Sequence, residues 1–312
     1  MSRAIIFPGQ GSQAIGMGRE LAEAFAAARY VFEEVDEALK QKLSRIMWEG
    51  PEAELTLTEN AQPALMAVSM AVIRILADQG GWQLAQQASF VAGHSLGEYS
   101  ALAAAGAFTL GDAARLLKTR GQAMQKAVPV GQGAMAALLG VELEQARAIA
   151  AEAAQGEVCE AANDNAPGQV VVSGSKAAVE RAIAVAASKG FKRAVLLPVS
   201  APFHCALMQP AADTMAEALA GVSLAAPSVP VVANVTATAV SEPEEIRRLL
   251  VAQVTGTVRW RECILYMKEH GVDSLVEAGA GKVLAGLAKR IDKEIAAQSL
   301  QTPADIEAFL RG

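Results

Sequence analysis

Cysteine, histidine, aromatic side chains and surplus positive charge are all scarce in this chain. Its three cysteines (Cys159, Cys205, Cys263) lie far apart in 312 residues, with no C-x-x-C pair and no companion histidine cluster. A disulfide scaffold and a structural zinc site are therefore unsupported, and the count suits a reducing compartment. Lys and Arg number 27 against 33 Asp and Glu, a net −6 with no basic stretch, which argues against a protein that coats nucleic acid. The longest apolar run, Ala64–Ala77, is interrupted by Arg74 and falls short of the about 20 residues a bilayer span requires. The opening run before Pro8 and Gly9 is too short for a signal peptide. These absences lead to the expectation of a soluble, cytoplasmic protein with no nucleic-acid or membrane partner. Long disordered stretches are not expected either, because 52% of the residues are hydrophobic and 19% charged, enough for a sizeable core.

Strand-like apolar runs at Ala4–Phe7, Ser89–Ala92, Val229–Ala233 and Ser274–Val276 alternate with helical patterns. The helical stretches cover about 18–39, 61–79, 110–127, 244–253, 260–270 and 282–291, with another beginning at His204. Strands separated by helices imply an α/β fold with a mostly parallel sheet. Between residues 130 and 198 the order becomes strand, helix, strand, strand, helix, strand, the ferredoxin-like βαββαβ unit. Its turn is expected over Asn163–Gly168, a run of turn-forming residues. The chain thus reads as a discontinuous core of residues 1–129 and 199–312 with an inserted ferredoxin-like subdomain at 130–198.

Gly93-His94-Ser95-Leu96-Gly97 matches G-x-S-x-G between a strand and a helix. In that setting the glycines permit a turn that exposes the serine at a helix N-terminus, and the following amide can stabilise an oxyanion. Ser95 is accordingly the candidate nucleophile. A hydroxyl nucleophile needs a base, and the chain has three histidines. His94 is adjacent to Ser95 and should point to the opposite face. His270 sits at a helix end, where histidine usually bonds terminal carbonyls. His204 remains, and a helix N-terminus there would keep its ring neutral and able to accept a proton. No Asp or Glu between Ser95 and His204 has a distinctive setting for a triad carboxylate. By spacing alone, Arg120 in Lys118-Thr119-Arg120 reads as solvated helix surface.

Several separated motifs then fall into register: Phe7-Pro8-Gly9-Gln10-Gly11-Ser12-Gln13, Gly93–Tyr99, Thr119-Arg120-Gly121, Ala162-Asn163, Pro167–Gly174, Pro202-Phe203-His204 and Gln253. Over essentially its whole length the chain resembles the malonyl-CoA:acyl carrier protein transacylases of type II fatty acid synthesis and the acyltransferase domains of polyketide synthases. The resemblance implies an α/β-hydrolase-like core interrupted by a ferredoxin-like subdomain. It implies a malonyl ester on Ser95, His204 as base oriented by the backbone carbonyl of Gln253, and an oxyanion hole from the amides of Gln10 and Leu96. Arg120 would hold the free malonyl carboxylate, with two parallel charge-assisted hydrogen bonds that lysine could not supply. Phe203 would crowd a methyl branch and favour malonyl over methylmalonyl. Malonyl-CoA and acyl carrier protein are the implied partners, with no metal, no bound cofactor and a monomeric state. For an acidic carrier protein, basic docking candidates are Lys189, Lys192 and Arg193, or Lys289 and Arg290. A plain serine thioesterase or esterase would share Ser95 and His204 but have no use for Arg120. A polyketide acyltransferase acting in trans would share all three, and a non-catalytic carrier-binding protein would need none.

Overall fold

Ile5 and Phe7 pack into one apolar cluster while Ala4 and Ile6 pack into another, and all four are fully buried. A strand with no exposed face belongs inside a sheet covered on both sides. In the computed structural model, which describes residues 2–312, ten strands are numbered in chain order. They are β1 (Arg3–Phe7), β2 (Phe90–Gly93), β3 (Gly133–Leu139), β4 (Cys159–Ala166), β5 (Gln169–Ser175), β6 (Arg193–Leu196), β7 (Val231–Val232), β8 (Ala239–Val240), β9 (Ser274–Ala278) and β10 (Ala296–Leu300). The larger sheet has the order β10-β9-β1-β2-β7-β8 and is parallel throughout except for the β7–β8 pair. Its central strands end where the chain turns into Pro8–Gly11 and Gly93–Ser95, so both turns open at one edge of the sheet. That edge is where α/β sheets carry their sites.

The smaller sheet is antiparallel, order β4-β5-β3-β6, which is the strand order of a ferredoxin-like unit. On β3, Ala134, Ala136 and Leu138 face the unit's own helices, Leu143–Ala154 and Lys176–Ser188, whereas Met135 and Ala137 join the core of the larger body. One strand thus serves two cores through its period-2 alternation.

Four expectations change. The helical pattern over 18–39 is two helices, Arg19–Ala24 and Ala26–Leu39, because Phe25 between them is extended. The expected turn at 163–168 shrinks to Pro167-Gly168, where Gly168 adopts φ 68°, and Asn163–Ala166 continue β4 through two register shifts. The helix expected from His204 begins at Gln209, after a 3₁₀ turn over Ala206–Met208. The helix around Ala64–Ala77 runs from Thr58 to Gly80, 23 residues, long and apolar enough to cross a membrane; 83% of its most apolar stretch is instead buried inside the protein. It packs against the helices Ala26–Leu39, Leu96–Ala104 and Leu110–Ala127, so it is a core helix. Beyond residue 291, β10 and the helix Pro303–Leu310 had no counterpart in the sequence reading.

Arg261 joins the two sheets. From the helix Trp260–Glu269 its Nε donates to Asp164 on β4 at 3.0 Å and its Nη1 to Glu142 at 2.7 Å. The Asp164 side chain is fully buried, and burial raises its pKa against the opposing pull of Arg261. Removing one partner of a buried ion pair leaves the other uncompensated, at a cost of about 3 kcal/mol. Arg261→Ala should therefore lower the urea midpoint of unfolding by that equivalent, whereas a surface pair such as Arg45–Glu49 should contribute under 1 kcal/mol or about that.

Candidate active site

Ser95 follows β2 and precedes the helix Leu96–Ala104, with φ 52° and ψ −108°. A side chain rarely adopts this backbone conformation, and holding it there costs on the order of 1–3 kcal/mol. The turn closes because Gly93 has no side chain: a Cβ there would lie 1.9 Å from the carbonyl of Gly97. Asn234, two residues past β7, clamps the bend. Its Oδ1 accepts from the Ser95 amide at 2.8 Å and its Nδ2 donates to the Gly93 carbonyl at 2.8 Å.

His204 Nε2 lies 2.8 Å from Ser95 Oγ, and His204 Nδ1 lies 2.8 Å from the Gln253 carbonyl oxygen. A carbonyl only accepts, so Nδ1 carries the proton and Nε2 offers its lone pair to the serine hydroxyl. Gln253 is in the last turn of the helix Pro243–Thr255, where carbonyls lack partners within the helix. His204 also has positive φ, 58°. Its pKa is pushed down to about 3, first by burial and then by the charge of Arg120. The ring is therefore neutral, but not through a helix N-terminus as the sequence suggested. Its Nδ1 meets a carbonyl in the last turn of the helix Pro243–Thr255, whose partial negative charge favours the imidazolium once a proton arrives.

Arg120 is 1% exposed, not solvated surface. The helix Leu110–Ala127 lies so close to Thr58–Gly80 that a Cβ on Gly121 would meet Glu59 Cα at 2.5 Å. That approach brings Arg120 Nη1 to Gln62 Oε1 at 2.9 Å, while Nη2 donates to Gln253 Oε1 at 2.9 Å and Ser95 Oγ at 3.0 Å. The guanidinium lies 5.7 Å from the Tyr99 ring centroid. Among the described residues no carboxylate forms an ion pair with it. Burial pulls its pKa below the usual arginine range, from so high a start that the cation persists.

A cavity of about 830 Å³ opens over this cluster, lined by Gln10, Ser95, Leu96, Arg120, Phe203 and His204 and by Met135, Asn163, Asn165 and Val171 of the smaller sheet. Among the described residues, the amides of Gln10 and Leu96 meet no acceptor. His94 makes no bond to Ser95 Oγ; its Nε2 pairs with Asn165 Oδ1 at 2.8 Å. His270 Nδ1 pairs with the Tyr266 carbonyl at 2.7 Å. Of the basic docking candidates, Lys189 is paired with Glu152 at 2.8 Å and Arg290 with Gln169, while Lys192, Arg193 and Lys289 are exposed. Sequence reasoning missed Gln62, Glu98 and Asn234. Glu98 is 2% exposed, and its pKa is raised to about 7 by burial, against hydrogen bonds from Asn234 and Gln253. It lies one residue beyond the motif that flagged Ser95; nothing local marks the other two.

An oriented serine–histidine pair at the edge of an α/β sheet, beside two free amides, defines an enzyme of serine-based acyl transfer. Residues 4–300 match the acyl transferase domain model. The malonyl CoA-acyl carrier protein transacylase of Escherichia coli strain K12 is 45% identical over 307 residues, 98% of each chain. The acyl-carrier-protein S-malonyltransferase of Bartonella henselae superposes with TM-score 0.97 at 59% identity, covering 100% of this chain and 99% of that one. A malonyl-transacylase solved in complex with its type II PKS acyl carrier protein superposes with TM-score 0.96 at 43% identity, over 100% and 99% of the two chains. The chain belongs to the malonyl CoA-acyl carrier protein transacylase family of acyltransferases.

The depressed His204 pKa carries a pH prediction. A base lowered from 6.5 to about 3 keeps its lone pair until the medium is strongly acid. The rate at which a neutral fluorophosphonate labels Ser95 in the free protein should stay level from about pH 8 to about pH 5. An inflection near 6.5 would show a solvated ring.

Proposed function

We propose that this protein transfers the malonyl group of malonyl-CoA to the phosphopantetheine thiol of acyl carrier protein through a malonyl ester on Ser95. Ser95 Oγ attacks the thioester carbonyl while its proton passes to His204 Nε2. The tetrahedral oxyanion is held by the amides of Gln10 and Leu96, and its collapse expels the coenzyme A sulfur, which takes the proton from His204. The carrier thiol then gives its proton to His204, attacks the ester, and releases Ser95 as the alcohol. The Gln253 carbonyl keeps the ring in the required tautomer in both halves. The thioester carbonyl is already activated, so the reading calls for no metal or bound cofactor.

The observation that carries this reading is Arg120, a buried cation beside the nucleophile whose partners are neutral amides and a hydroxyl. Neutral acceptors take hydrogens from Nη1 and Nη2 without cancelling the charge, and the buried Nε meets no acceptor, leaving the cation to bind the one feature that separates malonyl from acetyl, a terminal carboxylate. A hydrolase acting on neutral esters would gain nothing from a buried cation there. The complexed relative supports a carrier protein as acceptor. Phe203, 8% exposed and on the cavity wall, would limit branching at the malonyl C2, where one methyl is worth about 1–3 kcal/mol of discrimination.

Incubation with malonyl-CoA followed by intact mass measurement should give one malonyl adduct, absent in Ser95→Ala and discharged by holo-carrier protein faster than by water. Arg120→Ala should lower kcat/KM for malonyl-CoA by about 100-fold, the value of a charge-assisted hydrogen-bonded contact, with a far smaller change for acetyl-CoA. Phe203→Ala should narrow the malonyl to methylmalonyl preference about tenfold.

A further inference from the structure

Glu98 is a buried carboxylate one turn beyond the nucleophile, with no part in the chemistry above. A single oxygen, Oε2, accepts from the Asn234 amide and from Gln253 Nε2, each at 2.9 Å. Gln253 Nε2 also donates to the Ser95 carbonyl at 3.0 Å and lies 3.3 Å from Asn234 Oδ1. Every group facing Nε2 is therefore an acceptor, two carbonyl oxygens and the carboxyl oxygen of Glu98. This environment fixes which end of the Gln253 carboxamide is nitrogen. The opposite end, Oε1, consequently faces Arg120 Nη2. With the amide turned over, two N–H groups would meet there and Arg120 would lose one of the acceptors that aim it.

From this geometry we infer that Glu98 is a positioning residue for acyl selection: by orienting the Gln253 carboxamide it holds the Arg120 guanidinium where a substrate carboxylate can be gripped. The inference rests on the malonyl-transfer reading and adds a residue to it. Glu98 touches neither the acyl group nor Ser95 Oγ, so its effect should appear in the choice between carboxylated and neutral acyl groups.

The test compares loading of Ser95 from malonyl-CoA and from acetyl-CoA, as the ratio of the two kcat/KM values in each variant. Glu98→Met fills similar space without an acceptor and should lower the malonyl to acetyl ratio by about tenfold, the size of one hydrogen bond to a charged group. Glu98→Gln can present a carbonyl oxygen at the Oε2 position and should keep the parent ratio. Gln253→Met removes the link from the other side, retains its backbone carbonyl, and should lower the ratio as far as Glu98→Met. The double variant should go no lower, since both changes cut one connection. A parent-like ratio in Glu98→Met overturns the inference, and so does a fall in Glu98→Gln as large as in Glu98→Met. Should Glu98→Met not fold, Glu98→Leu takes its place: a lowered ratio supports the inference and an unchanged one overturns it. A parent protein that takes no malonyl group would refute the malonyl-transfer reading instead, so the two failures are told apart.

Discussion

The site is organised around a positive charge that the protein solvates without neutralising. Taking a guanidinium out of water costs several kcal/mol, and proteins usually offset this with a carboxylate. Here Gln62, Gln253 and Ser95 accept hydrogens from its two Nη atoms and no carboxylate pairs with it among the described residues, so its field persists in a low-dielectric pocket. That field has two effects. It offers an incoming anion a partner already stripped of water, and with burial it holds His204 neutral. A carboxylate placed against Arg120 would weaken both effects. The amide side chains at 62 and 253 thus matter for what they withhold as well as for what they contact.

Such an arrangement needs a frame that does not relax. Ser95 and His204 are two of the five non-glycine residues with positive φ among those described. Asn234 holds the first by bridging the carbonyl and amide on either side of the bend. The second is held by a carbonyl at the end of a helix. The nucleophile and its base come from opposite sides of the smaller sheet in chain order, 109 residues apart. Their 2.8 Å separation therefore depends on the packing of the whole larger body, including the buried helix Thr58–Gly80 that carries Gln62.

Local chemistry explains what could be read before the structure. Ser95 stood out because a glycine-framed turn between strand and helix has few other uses, and His204 because three histidines left little choice. Arg120 could not be read from spacing: a basic residue on an amphipathic helix is usually solvated, and its burial depends on how close a distant helix can approach Gly121. Its role, like that of the Gln253 carbonyl, came through family resemblance. Asp164 and Asn165 misled as turn formers because their side chains are claimed by distant partners: Asp164 by Arg261 and Asn165 by His94. Gln62, Glu98 and Asn234 act across more than 55 positions of the chain, a range at which a single sequence carries no pairing signal. β10 has little β-branched or aromatic content, the usual mark of a strand, and among the described residues pairs with β9 alone.

The cavity has two walls of different origin. Ser95, Arg120, His204 and the Gln253 carbonyl all belong to the larger body, whereas Met135, Asn163, Asn165 and Val171 come from the smaller sheet. Bond-making machinery and the facing wall can consequently drift at different rates. Substitutions on the small sheet can reshape what is admitted while leaving proton transfer intact, and that separability gives the scaffold room to diversify its cargo without reinventing its reaction.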